Sequence, residues 1–177
     1  MKKLLFLLSL TLFYHADATG FQHNFSKEGT ATQWTMIQYK NYKPFPKIIQ
    51  HKEKGFLHIS DIRGKSGFGI ANHVKKVKAY SPDRIRVRFT AKGKGKFNVG
   101  LQYFSGGKFT GCDTIIPNTL TPEWKTFELD LPVRDLNGAF TDQAMLTFYG
   151  SHAGEVFLKE FSAIREKSRY AGNLFLP

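Results

Sequence analysis

The chain has 177 residues, 26 Lys and Arg against 14 Asp and Glu, a formal net charge of +12, and 15% aromatic residues, with 17 Phe among them. This length is typical of one domain. The aromatic content excludes low-complexity disorder, 16 Gly without a Gly-x-y period exclude a collagen-like repeat, and one Cys excludes a disulfide scaffold. A basic, Phe-rich globular domain remains.

The first 18 residues have the pattern of an export signal. Lys2 and Lys3 precede an apolar run at 4–13, and Ala16 and Ala18 supply small residues at the spacing that a signal peptidase recognises. The apolar run is about half as long as a membrane-spanning helix, so a cleaved signal is favoured over a transmembrane anchor. We therefore expect a periplasmic or extracellular protein, cleaved near Ala18.

Short segments of alternating apolar and polar residues dominate the rest of the chain, and turn-forming residues separate them at intervals of roughly ten residues. This pattern is typical of an all-β protein in which two antiparallel sheets form a sandwich or jelly roll. The predicted strands are 21–25, 34–39, 47–51, 56–61, 67–77, 84–92, 96–104, 110–116, 124–133, 145–150 and 155–165. We expect a single domain at 19–166 and a C-terminal tail at 167–177, since no linker or repeat divides the chain.

Alternation assigns the two faces of the strands predicted at 84–92 and 96–104. The outward residues include Arg86 and Arg88 in the first strand, and Asn98 and Gln102 in the second. The predicted core residues are Ile85, Val87, Phe89, Ala91, Phe97, Val99, Leu101 and Tyr103. Most other Phe residues alternate with polar residues in the same way, which indicates that they also belong to the core.

The sequence Lys-Gly-Lys-Gly at 92–95 predicts a hairpin that pairs these two strands. If the strands pair, their outer faces merge into one surface of guanidinium and amide groups. An arginine on such a surface can bind a carboxylate or sulfate through two parallel N–H bonds. Tyr149 would join this polar face, and Trp34 is a further aromatic candidate. The predicted ligand-binding residues are Trp34, Arg86, Arg88, Asn98, Gln102 and Tyr149.

Four segments follow one another in an order that resembles a known family. They are Asn24-Phe25 followed by Trp34, RVRFTAKG at 86–93, TPEWKTF at 121–127, and GEVFLKEFS at 154–162. Together they are similar to carbohydrate-binding modules of the galactose-binding-like jelly-roll type, and they cover almost all of the chain after the export signal. The resemblance implies a two-sheet β-sandwich that binds glycans without performing chemistry.

The resemblance also implies a structural calcium ion, held partly by acidic residues. Ser26 stands where the family has Glu after Asn-Phe, and Lys159 stands where its closing strand has Asp. Calcium needs six to eight oxygen ligands. The two replacements weaken the expectation of calcium, although Asn24, Glu160 and backbone carbonyls could contribute, and we expect no other cofactor or metal.

The first functional hypothesis is a secreted, non-catalytic module that binds a polysaccharide, an anionic one in view of the net charge and the two arginines. The alternative is a jelly-roll lyase or glycosidase. Hydrolysis needs two facing carboxylates, and elimination needs a base near an arginine; no predicted strand face carries two carboxylates. A second alternative is a basic protein that binds nucleic acid or an anionic membrane surface, against which the export signal argues. The sequence leaves the glycan and the oligomeric state open.

Overall fold

The computed structural model describes residues 20–26, 34–36, 47–60, 68–72, 76–151 and 155–168. The predicted signal at 1–18 and most of the predicted tail lie outside these ranges. Within the ranges, no helix is long and apolar enough to span a membrane. The elements are β1 (Gly20–His23), β2 (Trp34–Met36), β3 (Lys47–His51), β4 (Phe56–Ser60), β5 (Phe68–Asn72), β6 (Val77–Lys78), β7 (Arg84–Gly93), β8 (Gly95–Ser105), β9 (Lys108–Leu120), β10 (Lys125–Pro132), β11 (Gln143–Ser151) and β12 (Val156–Glu166).

The strands form two antiparallel sheets that pack face to face. Sheet A has the order β10-β7-β12-β4-β3, and β1 pairs with β12 beside β4. Sheet B has the order β2-β5-β11-β8-β9, and β6 pairs with the start of β11. The predicted all-β sandwich of two antiparallel sheets is therefore confirmed.

A cluster of aromatic rings fills the space between the sheets. Phe89 of sheet A contacts Phe97 and Phe148 of sheet B, with ring centroids 5.5 Å and 5.4 Å apart. Phe161 of sheet A contacts Phe148 from the other side, at 5.3 Å. All eight core residues predicted in β7 and β8 are at most 1% exposed. Burial of each large apolar side chain contributes about 1.5–3 kcal/mol, so this cluster holds the two sheets together.

Trp34 belongs to the same core. Its side chain is 3% exposed, and its ring contacts Phe148 and Phe161 at 5.4 Å and 5.2 Å. The indole Nε1 donates a hydrogen bond to Nδ1 of His23 at 3.0 Å, so its one polar atom is satisfied inside the protein. The structure thus places Trp34 in the core and not on a surface that a ligand can reach, which corrects its prediction as a binding residue.

The predicted hairpin between β7 and β8 is wrong. β7 pairs with β10 and β12, whereas β8 pairs with β9 and β11, so the chain crosses from sheet A to sheet B at Lys94. Gly93 and Gly95 have φ angles of 150° and 104°, and a Cβ on Gly93 would collide with the carbonyl oxygen of Glu155. Because of this crossing, the outward residues of β7 and β8 point to opposite sides of the sandwich.

Candidate functional site

The predicted binding residues do not form one surface. Trp34 lies in the core, and the other five lie on two opposite outer faces. The prediction of a single surface of guanidinium and amide groups is therefore wrong. Sheet A carries Arg86 and Arg88, and sheet B carries Asn98, Gln102 and Tyr149.

The outer face of sheet B brings together side chains that suit sugar hydroxyls. Tyr149 lies opposite Asn98 in the β11–β8 ladder, and Gln102 Nε2 donates a hydrogen bond to the Tyr149 hydroxyl at 3.3 Å. The Thr147 hydroxyl, on the same face, is buried and has no hydrogen-bond partner within the described chain. Thr147 is fully buried and Gln102 is 8% exposed, so the half-buried Asn98 and Tyr149 are the members that a sugar can contact directly, and Gln102 holds the Tyr149 hydroxyl in place. We call Asn98, Gln102, Thr147 and Tyr149 the amide face.

Apolar side chains border the amide face. Ile115 of β9 lies beside Gly100 of β8 and is 50% exposed. Phe104 and Met145 belong to a small buried apolar cluster on the same face, and the Lys76 ammonium lies 3.8 Å from the Phe104 ring centroid. A polar centre with apolar borders is the combination that binding a sugar in water requires, because a sugar presents both C–H surfaces and hydroxyls.

The arginines of sheet A form a row in which each guanidinium already has a carboxylate partner. The three pairs are Arg84 with Asp130 at 2.6 Å, Arg86 with Glu166 at 2.8 Å, and Arg88 with Glu128 at 3.2 Å. We call these three arginines the arginine row. The carboxylates come from β10 and β12, which flank β7, so the row is close to electrically neutral. The sequence prediction missed this because it considered the charges of one strand alone.

The other end of the same outer face carries aromatic rings. Phe56, Trp124 and Phe157 come from three separate segments and are all half-buried. The ring centroid of Phe56 lies 5.9 Å from that of Trp124 and 5.5 Å from that of Phe157. We call these three residues the aromatic platform. The sequence did not reveal it, because only the pairing of β10 with β7, of β7 with β12 and of β12 with β4 shows that these rings meet.

Asn24 and Glu160, the side chains named as possible calcium ligands, each have a hydrogen-bond partner within the protein. Asn24 Oδ1 accepts a hydrogen bond from the Ser26 N–H at 2.9 Å, and the Glu160 carboxylate lies 3.5 Å from the Thr90 hydroxyl. In the ranges that the structure describes, no three His, Cys, Asp or Glu residues are grouped so that they could hold a metal ion. Calcium also accepts amide and backbone carbonyl oxygens as ligands, so a structural calcium ion at Asn24 and Glu160 stays a prediction.

No protein-family profile matches the chain, and no curated protein matches its sequence. Solved structures match it in fold. The apo form of BiXyn10A CBM1 has a TM-score of 0.57 at 16% identity, over 84% of this chain and 97% of that one. The CBM22-1 xylan-binding domain of Paenibacillus barcinonensis Xyn10C has a TM-score of 0.55 at 14% identity, over 84% and 94%. A family 11 carbohydrate-binding module from Clostridium thermocellum, in complex with a beta-1,3-1,4-mixed-linked tetrasaccharide, gives 0.52 at 14%, over 81% and 95%.

The chain thus has the β-sandwich fold of carbohydrate-binding modules, as its sequence motifs imply. At these levels of identity the likeness concerns the fold. Enzymes also occur among the solved structures that share it. Since one fold can carry different functions, the function of this protein has to be inferred from the side chains on its surface.

Proposed function

We propose that this protein is a secreted, non-catalytic module that binds a polysaccharide, an anionic one, and that its amide face contacts the sugar. The observation that carries the proposal is the meeting of Asn98, Gln102 and Tyr149 on one outer face of a sandwich with this fold. The amide and phenol groups are planar and can each form directed hydrogen bonds with sugar hydroxyls. The hydrogen bond between Gln102 and Tyr149 restricts both side chains, which lowers the entropy lost on binding.

The composition of the amide face supports binding without catalysis. Hydrolysis of a glycosidic bond needs two carboxyl groups about 5–10 Å apart, and elimination needs a base near an arginine. The outward positions of β8 and β11 include no acidic residue and no arginine. Tyr149 could act as a base only with an electropositive partner; the arginine row lies on the opposite face of the sandwich, and the Lys76 ammonium at the border of the amide face lies over the Phe104 ring.

The net charge supports an anionic polymer as the ligand. The net charge of +12 becomes +11 when residues 1–18 are removed, because Lys2, Lys3 and Asp17 are lost. This positive charge attracts a polyanion, and salt screens the attraction, so the affinity should fall as the ionic strength rises. We expect retention on uronate-containing or sulfated polysaccharides to drop between low and physiological salt. A protein that no glycan retains at any salt concentration would contradict the proposal.

Substitutions on the amide face test its role. Gln102→Ala and Tyr149→Ala should each weaken binding by about three- to tenfold, because a net hydrogen bond contributes about 0.5–1.5 kcal/mol. Calorimetric titration with the best glycan from a binding screen measures this loss. Gln22→Ala, at an exposed glutamine of β1 in sheet A, is the control for the opposite face, and thermal unfolding of Gln102→Ala checks that loss of a side chain only 8% exposed leaves the fold intact.

Two further readouts separate the amide face from the alternatives. Cys112 is an exposed thiol opposite Gln102, so a fluorophore attached there should respond when a glycan covers this face. Unchanged binding by both amide-face variants would exclude the amide face as the site. A steady rise in the absorbance of unsaturated uronate during incubation with the polymer would contradict the non-catalytic assignment.

A further inference from the structure

We propose that the aromatic platform and two lysines above it form a second binding site, which takes the acidic group of a sugar unit, a uronate carboxylate or a sulfate ester. The inference rests on the proposed polysaccharide ligand. The site itself lies on the face opposite to the amide face, so each can be tested without the other.

Two ammonium groups converge on one indole ring. Lys92 Nζ lies 5.1 Å from the centroid of Trp124 and 5.1 Å from that of Phe157. Lys159 Nζ lies 4.7 Å from the centroid of Trp124. Cation–π attraction of this kind holds an ammonium group in place without neutralising its charge. The two positive charges therefore lie no more than about 10 Å apart and remain available to an anion.

Neither lysine has an acidic partner among the residues that the structure describes. In the described part of the chain, no carboxylate lies within salt-bridge distance of Lys92 or Lys159, whereas every member of the arginine row is paired. Two like charges held near each other repel, and a bound anion would relieve this repulsion. A ligand's negative charge would thus be stabilised more at the platform than at the arginine row, whose cations are already paired.

A cavity of about 620 Å³ opens beside the platform, within the size range of small-ligand sites. Phe157 of the platform and Lys92 above it also form part of the cavity wall. A sugar ring in the cavity could therefore place its acidic group beside the two lysines. The wall also includes Lys94, a third cation, at the crossing between the sheets. The lining residues are Lys92, Gly93, Lys94, Pro122, Glu155 and Phe157.

Glu155 is the one acidic residue among the described residues of this wall. Its carboxylate lies 3.3 Å from Nε2 of His58, whose ring stacks on Phe157 with centroids 4.5 Å apart. The carboxylate opposes an incoming anion, so its removal should strengthen the binding of an acidic sugar. An increase in affinity on removal of this carboxylate is expected only if the acidic sugar binds in the cavity.

The local backbone aims Lys159 at the platform. A β-bulge lies between Lys159 and Ser162 of β12, and Glu160 within it has a φ angle of 51°. Before the bulge, Lys159 is outward and half-buried against Trp124; after it, Phe161 enters the core. Lys159 occupies the position at which the resembling modules have an acidic residue, so this chain has a second cation there in place of a counter-charge.

The test uses the full chain and three acidic probes: oligogalacturonate, alginate oligomers and a sulfated galactan oligomer. The variant Lys92→Ala/Lys159→Ala should bind the tightest of them at least tenfold more weakly, since a hydrogen bond to a charged group contributes enough for about a tenfold change. Lys125→Ala is the matched control, because Lys125 also lies over a ring, that of Phe127 at 5.3 Å, outside the platform. It should change the affinity less than twofold, and Glu155→Gln should raise it.

Methyl-esterified oligogalacturonate separates the sugar from its charge, because it keeps the ring and loses the carboxylate. The wild type should bind it more weakly than the acid, and the double lysine variant should bind both forms alike. Thermal unfolding of each variant checks that the fold is intact, and Trp124→Phe keeps a ring on the platform should the double variant be unstable. It should weaken binding to the acid while the amide-face fluorophore responds as before.

Three outcomes would overturn this inference. They are failure of all three acidic probes to bind, equal losses in the double variant and in Lys125→Ala, and equally strong competition by a DNA oligonucleotide or anionic vesicles, which would indicate nonspecific charge attraction. If the platform variants have no effect while Tyr149→Ala abolishes glycan binding, this site is wrong and the proposed function stands. If no glycan binds at all, the proposed function itself fails.

Discussion

The cations at the two ends of the outer face of sheet A differ in their partners. At one end, the arginine row faces carboxylates from both neighbouring strands, at 2.6–3.2 Å. At the other end, Lys92 and Lys159 lie over aromatic rings and have no carboxylate partner in the described chain. A net charge of +12 therefore does not show which cations are available to a ligand.

Strand register produces the difference. In the ladder of β7 with β10, Arg88 lies opposite Glu128, so each cation of the row meets an acid on a neighbouring strand. Two steps beyond Thr90 the same alternation places Lys92 opposite Phe157 of β12. The paired arginines stabilise the sheet modestly, whereas the two lysines over aromatic rings can still bind an anion.

The largest expected effect is on the free energy of unfolding, and it concerns the buried ion pair between Asp83 and Arg165 near the arginine row. Asp83 is 3% exposed and accepts a hydrogen bond from Arg165 Nε at 2.6 Å and another from the Tyr80 N–H at 2.9 Å. Asp83→Ala leaves the buried guanidinium of Arg165 without its partner and should lower the free energy of unfolding by about 3–5 kcal/mol. Denaturant unfolding measures this, with Asp130→Ala, which breaks an exposed pair, as the control.

A loss below about 1 kcal/mol in Asp83→Ala, equal to that of the control, would show that burial does not distinguish this pair from the exposed row. The arginine end would then have no special part in stability.

The next effect comes from making the arginine row resemble the platform. Glu128→Gln/Glu166→Gln removes the partners of Arg88 and Arg86 while keeping the size of the side chains. We expect a several-fold gain in retention on a sulfated galactan at low salt, because two cations become available. Affinity chromatography at two salt concentrations measures it. The expected cost in stability is small, about 0–1 kcal/mol for each exposed pair.

Lys52→Gln/Lys54→Gln is the charge control for that gain, since it changes net charge by the same amount in the opposite direction at the exposed turn after β3. A retention that follows only the net charge across both double variants would remove the distinction between paired and unpaired cations.

The smallest effect is expected for Arg88→Ala. The guanidinium of Arg88 is 59% exposed and its partner Glu128 is 68% exposed, so the pair contributes about 0–1 kcal/mol to stability. Binding of acidic oligomers should weaken less than in the double lysine variant of the platform. A loss as large as in that variant, measured by the same titration, would place the acid-binding surface on the arginine row.

Much of the fold follows from alternation in the sequence. The strand predicted at 47–51 coincides with β3, and the eight core residues predicted in β7 and β8 are all buried. The turn after β8 forms a hairpin with β9 at Gly106 and Gly107, as a Ser-Gly-Gly sequence at 105–107 between two alternating segments predicts. These features are local, because period-two alternation and glycine turns are properties of short segments.

The placement of the sites depends on pairing between distant segments, which the sequence does not display. An alternating strand looks the same whether the next strand lies beside it or across the core, which is why β7 and β8 were predicted to pair. Trp34 illustrates the same limit, because alternation over its short strand does not distinguish the inner face from the outer one. The aromatic platform joins residues 56, 124 and 157, and no local pattern links them.

The crossing at Gly93–Gly95 has a consequence for how such a protein would act on a polymer. It places β7 and β8 in different sheets, which pack about 10 Å apart, so their outward side chains lie on opposite sides of the sandwich. Two sites that face away from each other cannot bind the same short stretch of glycan. With both sites filled, each molecule would connect two separate polymer strands, so its effect on a polysaccharide would be cross-linking and avidity in a network.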